Sequence, residues 1–321
     1  MSLVSILQSY NQYEKIKNNF KFDELLSSYT FFKIGGKAEL LYEPSDKEEL
    51  KAICNFFIEH KIDVSIIGNA SNLLISDSGL KGAIIHLNKF NECSVLKREG
   101  EHIFVNVGAG LIIDEFIEFC IENEISGIED FAGLPASIGG AIFMNAKCFE
   151  TSMSKLVKTV DYLKFSTTGC TFETYSMSEK DWDYKKSPFQ KDSSGIKLLE
   201  NRNIITSCIL KLKKGNKDQI KGKSEERYNT RVLKKQFDFP SAGCVFKNDY
   251  TCGIPTGKLV SEASLLGLSK GGAQIAPWHG NFIINRGNAS SNDVLYIMNV
   301  VREEIKKRYG IVLEPEVIYC Y

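Results

Sequence analysis

Two short segments rich in glycine and other small residues constrain the fold of this chain more than any other feature of its sequence. Residues 133–141 (GLPASIGGA) form the densest such stretch, and residues 68–72 (GNASN) directly follow a predicted strand at 64–67. Small residues let backbone N–H groups approach an anion or a flat cofactor closely. Because the two segments lie far apart in sequence, they indicate a pocket walled by separate loops.

A third glycine pair, Gly108 and Gly110, decides whether a standard dinucleotide-binding fold is present. The pair follows a predicted strand at 102–107, but Ile113 occupies the position of the third glycine in a G-x-G-x-x-G fingerprint. That third glycine is needed for close packing of the helix on the strand. The sequence therefore argues against a Rossmann fold.

Length and charge limit the organisation and the partners of the chain. With 321 residues it is long enough for two or three domains, because single cores stop growing near about 250–300 residues. Lysine plus arginine number 40, as do aspartate plus glutamate, so the formal net charge is zero. A neutral chain has no global field to recruit nucleic acid or an anionic membrane, and we expect neither partner.

The N-terminal residues and the cysteines predict a cytoplasmic protein. No basic stretch precedes an apolar core at the start, and no run approaches the roughly 18 apolar residues of a membrane span. The nine cysteines are odd in number and contain no C-x-x-C pair. We therefore expect free thiols in a reducing compartment, without disulfides and without a metal site.

The predicted elements divide the chain into three parts and a closing strand. Residues 1–78 form a first lobe, with a helix whose capping box is Ser45 and Glu48, and residues 79–213 form a second lobe rich in strands. Residues 214–310 form a separate part whose last helix, at about 292–309, stops at Gly310. The strand-like residues 311–321 are expected to return to the first lobe.

Residues 241–248 (SAGCVFKN) carry the chemistry of the third part. Cys244 offers an ionisable proton, and Gly243 lets the backbone or a ligand approach closely. Lys247 and Asn248 add a cation and an amide, which suit an anionic, polar substrate. The other cysteines are interpreted as small core residues.

Several motifs, in one order from about Thr30 to Glu316, resemble the UDP-N-acetylenolpyruvoylglucosamine reductase family. The matching segments are residues 32–36 (FKIGG), 68–74 (GNASNLL), 131–146, 255–259 (PTGKL), 271–274 (GGAQ) and 279–282 (HGNF). Asn69, Ala70 and Ala136 depart from the family, which usually has glycine at these positions. No long insertion lies between residues 257 and 271, which indicates the shorter subtype of the family.

The resemblance implies an α+β flavoprotein with FAD as cofactor and NADPH as co-substrate. Residues 1–78, joined by the strand 311–321, and residues 79–213 would be the two lobes of an FAD-binding domain of the vanillyl-alcohol-oxidase (PCMH) type. Residues 214–310 would be a separate α+β substrate-binding domain. The implied cofactor-binding residues are Gly68, Asn69, Ala70, Ser71, Asn72, Gly108, Gly110, Gly133, Pro135, Ala136, Ser137, Gly139, Gly140 and Asn145.

The implied reaction is the reduction of UDP-N-acetylglucosamine enolpyruvate to UDP-N-acetylmuramate, a step in peptidoglycan precursor synthesis. Hydride addition to one carbon of the double bond leaves an enolate, which must be stabilised and then protonated. By the family pattern Cys244, where serine is usual, is the proton donor, and Glu316 is the catalytic glutamate. A glutamate beside an enolate helps only when it is protonated or hydrogen-bonded.

A third catalytic position differs from the family. The family has arginine in a Tyr-Arg-x-Ser-x-Phe motif, whereas this chain has Lys185 after Tyr184. Lysine keeps the charge but lacks the planar, two-pronged donor that suits a carboxylate. In one interpretation Lys186 or Arg231 helps Lys185 to bind the carboxylate. In another, Lys185 and Lys186 only form a solvated loop.

The implied substrate-binding residues are Tyr184, Arg231, Lys247, Asn248, Gln274, His279 and Asn281. For His279 a structural role is an equal alternative, because it has no acid, base or metal partner nearby in sequence. Lys223 and Arg227 belong to a basic run that would suit a diphosphate, although such runs more often form a solvated helix face. We expect a monomer.

Two other functions fit the same residues. Another FAD oxidase or dehydrogenase of this fold would react rapidly with oxygen and would not need Cys244 and Glu316 together. A nucleotide-sugar-binding protein that has lost catalysis would fit Lys185 and the reduced number of loop glycines.

Overall fold

The computed structural model describes residues 2–166, 168–190, 203–249 and 252–321. The helices are α1 (Leu3–Gln8), α2 (Tyr13–Ile16), α3 (Lys47–Glu59), α4 (Ile113–Glu122), α5 (Ile138–Phe143), α6 (Lys217–Leu233), α7 (Thr256–Glu262) and α8 (Ser291–Tyr309). The strands are β1 (Phe20–Leu25), β2 (Lys37–Tyr42), β3 (Val64–Ile67), β4 (Leu73–Ile75), β5 (Leu80–His86), β6 (Cys93–Glu99), β7 (His102–Gly108), β8 (Ile125–Ser126), β9 (Lys147–Cys148), β10 (Thr151–Ser152), β11 (Val157–Ser166), β12 (Gly169–Ser176), β13 (Asn203–Lys214), β14 (Ser241–Cys244), β15 (Ser269–Lys270), β16 (Ala273–Ile275), β17 (Phe282–Asn285) and β18 (Ile318–Cys320).

The chain divides into two compact units, each built from more than one segment. Unit 1 comprises Met1–Glu24, Ala38–Asn69 and Lys81–Asn229. Unit 2 comprises Leu25–Lys37, Ala70–Leu80 and Thr230–Tyr321. These boundaries differ from the divisions at residues 78, 213 and 310, since two short N-terminal segments group with the C-terminal part. The functional division into lobes and a substrate-binding domain stays a prediction.

Unit 1 is built around two sheets. The smaller sheet has the strand order β1-β2-β5-β3, with β3 and β5 parallel. The larger sheet has the order β12-β11-β13-β7-β6, with antiparallel neighbours, and β8 pairs with β13. Side chains of α3, α4 and α5 share one buried core with these strands. β5 lies after the lobe boundary placed at residue 79, yet it is hydrogen-bonded in the smaller sheet, which therefore extends to His86.

The start of α3 lies one residue later than its capping pattern predicts. Asp46, not Ser45, is the N-cap, because its side chain accepts a hydrogen bond from Glu49 N at 2.8 Å. The Glu49 side chain in turn accepts from Ser45 N at 3.3 Å. Aspartate and serine are almost equally good at this position, so the sequence pattern alone does not choose between them.

Unit 2 contains an antiparallel sheet of order β14-β17-β16-β15, with α7 and α8 packed around a second core. α8 begins with a capping box of Ser290 and Asp293, and it ends at Gly310, whose φ is +72°. The predicted stop at Gly310 is confirmed. β18 forms a parallel pair with β4, so the closing strand returns to residues within the 1–78 range, but to a segment that belongs to unit 2.

Two general features bear on the environment of the chain. Among the described residues, no helix is long and apolar enough to cross a membrane. All nine cysteines are free thiols, and Cys244 and Cys252 are two of the three that are not fully buried.

Candidate active site

Cys244 is the last residue of β14 and pairs with Phe282 of β17. The register of the two strands shifts between Ser241 and Cys244, where Gly243 adopts a φ of +73°. A side chain is disfavoured at this φ, although a Cβ at Gly243 would meet no atom of the described residues within 4 Å. The backbone conformation directly before Cys244, and not crowding, therefore requires the glycine.

The side chain of Cys244 is partly buried at the edge of a small aromatic cluster. Phe239 and Trp278 are its other partly buried members, and they pack with the buried Phe282. The Trp278 Nε1–H is buried and has no acceptor among the residues that the structure describes. This aromatic wall was not predicted from the sequence, because its only signal there is a single tryptophan ahead of the HGNF motif.

Backbone hydrogen bonds bring Glu316 next to the Cys244 segment, although the two residues are distant in sequence. Glu316 N donates to Val245 O at 2.8 Å. Asn72, predicted as a cofactor-binding residue, donates from Nδ2 to Glu316 O at 2.9 Å. Unit 2 thus brings together the backbones that carry the two predicted catalytic residues Cys244 and Glu316.

Lys247 and Asn248 both have partners within unit 2. Lys247 Nζ forms an ion pair with Glu314 Oε1 at 2.5 Å, and the Glu314 side chain is 69% exposed. Asn248 Oδ1 accepts a hydrogen bond from Thr256 N at 2.9 Å, at the start of α7. An anionic ligand that binds Lys247 would therefore compete with an exposed carboxylate.

Gln274 and Arg231, two further predicted substrate-binding residues, also make hydrogen bonds within unit 2. Gln274 Nε2 donates to Gly267 O at 3.0 Å, and its Oε1 accepts from Arg286 Nη1 at 3.2 Å. Arg231, near the end of α6, donates from Nη1 to Gln236 Oε1 at 3.2 Å. Each of these side chains therefore has protein partners that any bound substrate would share or replace.

His279 is packed against the backbone of the first turn of α7. A Cβ added to Gly257 would lie 3.2 Å from His279 Cε1. His279 Nδ1 accepts a hydrogen bond from Asn281 N at 3.2 Å, which belongs to the neutral ring protonated on Nε2. Burial lowers the pKa of His279 from its ordinary value of 6.5, and this favours the same neutral form. These contacts favour the structural alternative for His279, and a substrate contact stays a prediction.

In unit 1, the loop that ends with Asn69 packs directly against the loop 133–141. A Cβ added to Gly68 would lie 2.3 Å from Ser137 Oγ, and Asn69 Nδ2 donates to Pro135 O at 3.1 Å. Ser137 Oγ also accepts from Gly140 N at 3.3 Å as the N-cap of α5. Within the described part of the chain, the backbone N–H groups of Asn69 and Ser137 donate to no acceptor. The two loops are in contact, and each has a backbone N–H without an acceptor in the described part of the chain. Such a pair of loops is suited to bind the diphosphate of FAD.

The other predicted cofactor glycines are mostly explained by close packing inside unit 1. A Cβ added to Gly108 would lie 2.1 Å from Phe90 O, and one added to Gly110 would lie 1.9 Å from Leu87 O. A Cβ added to Gly139 would lie 3.0 Å from Ala109 O. Gly133 adopts a φ of +74°, and its N–H donates to Asp114 Oδ1 at 2.8 Å. These glycines let the loops approach each other and the strands that support them.

Ala70 and Ala136, where the resemblance implies glycine, differ in backbone conformation. Ala70 is buried and adopts a φ of +46°, in the left-handed region that favours glycine. Ala136 does not adopt a positive φ. The replacement therefore strains the backbone at position 70 but not at position 136. Ser71 is the partly buried residue that follows Ala70 in unit 2.

Tyr184 and Lys185 occupy the corner of a tight turn in unit 1. Asp183 N donates to Lys186 O at 3.2 Å, and Lys186 N donates to Asp183 O at 3.0 Å. Lys185 has a φ of +54°. Asn145, predicted to bind the cofactor, is 5% exposed and donates from Nδ2 to Asp183 O at 2.8 Å. Its amide therefore supports the turn that carries Lys185.

Lys223 and Arg227 of α6 are paired with a buried carboxylate in unit 1. Asp130 Oδ1 lies 3.3 Å from Lys223 Nζ and 3.0 Å from Arg227 Nε. Burial alone would raise the pKa of Asp130, but hydrogen bonds from Thr151 and Arg227 and the nearby Lys223 hold it below its ordinary value of 3.8. These two cations thus have an internal partner, which the basic run in the sequence did not reveal.

Matches to two protein-family models define the class of the chain. The model of an FAD binding domain matches residues 38–172. The model described as UDP-N-acetylenolpyruvoylglucosamine reductase, C-terminal domain, matches residues 235–320. The chain is therefore an α+β flavoprotein with a PCMH-type FAD-binding domain, which confirms the predicted fold class and cofactor.

Individual relatives extend the match over nearly the whole chain. UDP-N-acetylenolpyruvoylglucosamine reductase of Treponema denticola is 40% identical over 319 residues, 99% of this chain and 98% of the relative. The protein of the same name from Treponema pallidum is 35% identical and covers 90% of each chain. The crystal structure of this reductase (MurB) from Thermus caldophilus matches with a TM-score of 0.73 and 30% identity, over 93% of this chain and 98% of that one. The chain belongs to the UDP-N-acetylenolpyruvoylglucosamine reductase family.

Glycine substitutions at the two alanines will test the backbone strain. Ala70→Gly should hold or raise stability by up to about 1 kcal/mol, because relief of the left-handed conformation offsets the greater freedom of the unfolded chain. Ala136→Gly should lower stability by about 0.5–1 kcal/mol, because glycine gives the unfolded chain more freedom and position 136 has no backbone strain to relieve. Denaturant unfolding of the two variants and the wild type is the measurement. Equal losses in both variants would contradict a strained Ala70.

Proposed function

We propose that the chain catalyses the NADPH-dependent, FAD-mediated reduction of UDP-N-acetylglucosamine enolpyruvate to UDP-N-acetylmuramate. The names of its relatives support the substrate and the reaction. The observation that carries the proposal is the hydrogen bond from Glu316 N to Val245 O, which holds a carboxyl-bearing residue beside the Cys244 segment. An oxidase acting on an alcohol would not need a proton donor and a glutamate together.

Bound FAD supplies the hydride chemistry, while the protein supplies binding, a proton and charge stabilisation. In the proposal, Cys244 Sγ–H gives its proton to the enolate carbon, and solvent restores that proton. A thiol of ordinary acidity is mostly protonated near neutral pH and is competent for this role. The aromatic side chains of Phe239 and Trp278 form an apolar wall beside it.

Two further groups stabilise negative charge in the proposal. Glu316, as a protonated or hydrogen-bonded acid, contributes a hydrogen bond to the enolate. Lys185 supplies a cation for the substrate carboxylate, with Tyr184 beside it in the turn. Lys247 would bind an anionic group of the substrate in place of its present ion-pair partner, the exposed Glu314.

We also propose that the protein acts in the cytoplasm as a monomer. Nine free thiols support a reducing compartment. The monomeric state stays a prediction, which sedimentation of the purified protein would check.

The proposed function is tested by the visible spectrum of the purified protein during anaerobic additions. NADPH should bleach the flavin absorbance, and UDP-N-acetylglucosamine enolpyruvate should then restore it. Bleaching without recovery would instead support a different acceptor, as in another FAD enzyme of this fold. Substrate binding without NADPH consumption would support a protein that has lost catalysis.

Substitution of Cys244 separates its role from that of other thiols. Cys244→Ala should slow substrate-dependent flavin reoxidation by about 10²–10⁴-fold, the usual contribution of a general acid. Cys244→Ser should keep activity and become insensitive to iodoacetamide and peroxide, which should inactivate the wild type. Cys252→Ala is the control, because it removes a second partly buried thiol of unit 2. Unchanged turnover after complete labelling of Cys244 would rule out the donor role.

Lys185→Arg tests whether the family's arginine is the better cation. One additional hydrogen bond to a carboxylate should contribute about 1 kcal/mol, or roughly fivefold in kcat/KM. Lys186→Arg, in the next position, should change kcat/KM little. If both variants or neither raise kcat/KM, the cationic role does not belong to position 185.

A further inference from the structure

Both polar atoms of the side chain of Asn281, which precedes β17, form hydrogen bonds with the backbone just after Cys244. The residue is 1% exposed. Oδ1 accepts a hydrogen bond from Phe246 N at 3.0 Å, and Nδ2 donates to Phe246 O at 2.8 Å. Asn281 O also accepts from Val245 N at 2.9 Å. One residue thus makes three hydrogen bonds to the two residues that follow Cys244.

These contacts argue against a direct substrate contact by the Asn281 side chain. A ligand cannot reach an amide that is almost completely inaccessible. Both ends of the amide are already paired, so a new partner would leave a main-chain group of Phe246 buried and unsatisfied. The sequence motif predicted a substrate-binding residue here, but the buried contacts favour a different role.

We propose that Asn281 is a positioning residue that fixes the proton donor relative to the catalytic glutamate. Phe246, which Asn281 holds through both main-chain polar atoms, also forms an antiparallel bridge with Pro315. Val245, which donates to Asn281 O, accepts the hydrogen bond from Glu316 N. Asn281 therefore holds the two residues that join the donor segment to the glutamate segment.

This role rests on the proposed function, in which Cys244 must meet a carbon of the bound substrate. Proton transfer needs the donor within hydrogen-bond reach, and a displacement of about 1 Å is enough to cost roughly a hundredfold in rate. Loss of the amide should therefore slow protonation without weakening substrate binding.

Asn285, at the end of the same strand β17, offers a matched control. It is 6% exposed, its Nδ2 donates to Phe32 O at 3.1 Å, and its Oδ1 accepts from Gly287 N at 2.9 Å. The Asn285 side chain is thus also a buried amide bonded to main-chain atoms of unit 2. Within the described part of the chain, its side chain makes no hydrogen bond to residues 244–246, so Asn285→Ser removes a similar set of bonds at a position away from Cys244.

The test compares Asn281→Ser with Asn285→Ser in the flavin-loaded protein. Asn281→Ser should slow substrate-dependent flavin reoxidation by about 10- to 100-fold. The rate of flavin reduction by NADPH and the Kd of the substrate for oxidised enzyme should stay within about twofold of wild type. Asn285→Ser should change none of these, although its unfolding temperature should fall similarly.

Two results would overturn the positioning role directly. A higher substrate Kd with an unchanged saturating rate would make Asn281 a substrate ligand after all. An equal loss of rate in Asn281→Ser and Asn285→Ser, or no loss in either, would leave Asn281 a purely structural residue.

A second readout does not depend on activity. The rate at which iodoacetamide labels Cys244, followed by mass spectrometry of its peptide, should change by at least about threefold in Asn281→Ser and not in Asn285→Ser. Wild-type enzyme that fails to respond to the enolpyruvyl substrate would overturn the proposed function, and the labelling rates would then decide the positioning role alone. An unchanged labelling rate would overturn it in either case.

Asn281→Asp covers the possibility that the serine variant does not fold. The aspartate keeps the acceptor for Phe246 N, but it can donate to Phe246 O only when protonated. Its reoxidation rate, divided by that of the wild type, should therefore rise as the pH falls. A ratio that does not depend on pH would contradict the need for this donor.

Discussion

Main-chain hydrogen bonds between two distant segments hold the backbones of Cys244, the proposed proton donor, and Glu316 together. Glu316 N bonds to Val245 O at 2.8 Å, and Lys247 N bonds to Glu314 O at 2.9 Å. Such bonds involve no side-chain atoms, so they tolerate a change in the side chain at position 244. The pairing of these two segments is therefore independent of which side chain position 244 carries.

Amide side chains support this pairing and the turn of unit 1. Asn72 bonds to Glu316 O, Asn281 to Phe246 and Asn145 to Asp183 O. A buried amide is costly unless it is hydrogen-bonded, and a main-chain group is a partner that does not change with sequence. Motif residues near the site thus include residues that hold the backbone in place, and residue type alone does not distinguish these from ligand contacts.

Local features of the fold were predictable from the sequence, and long-range pairing was not. The stop of α8 at Gly310 follows from a residue that tolerates positive φ, and the order of the motifs identified the family. The grouping of Ala70–Leu80 with the C-terminal part depends on strand pairing across most of the chain. Hydrophobic periodicity carries no information about such partners. The ion pairs of Asp130 and the aromatic wall at Trp278 were missed for the same reason.

The pairing of β4 with β18 has a consequence for biosynthesis. All segments of unit 1 precede residue 230, whereas β4 gains its partner only when residues 318–320 have been made. At about 5–20 residues per second, the ribosome needs roughly 5 to 20 seconds to make the residues from 230 to 320. During this time the apolar residues Leu74 and Ile75, which are buried in the finished protein, lack their neighbouring strand. The nascent chain therefore exposes an unpaired strand edge until residues 318–320 have been made.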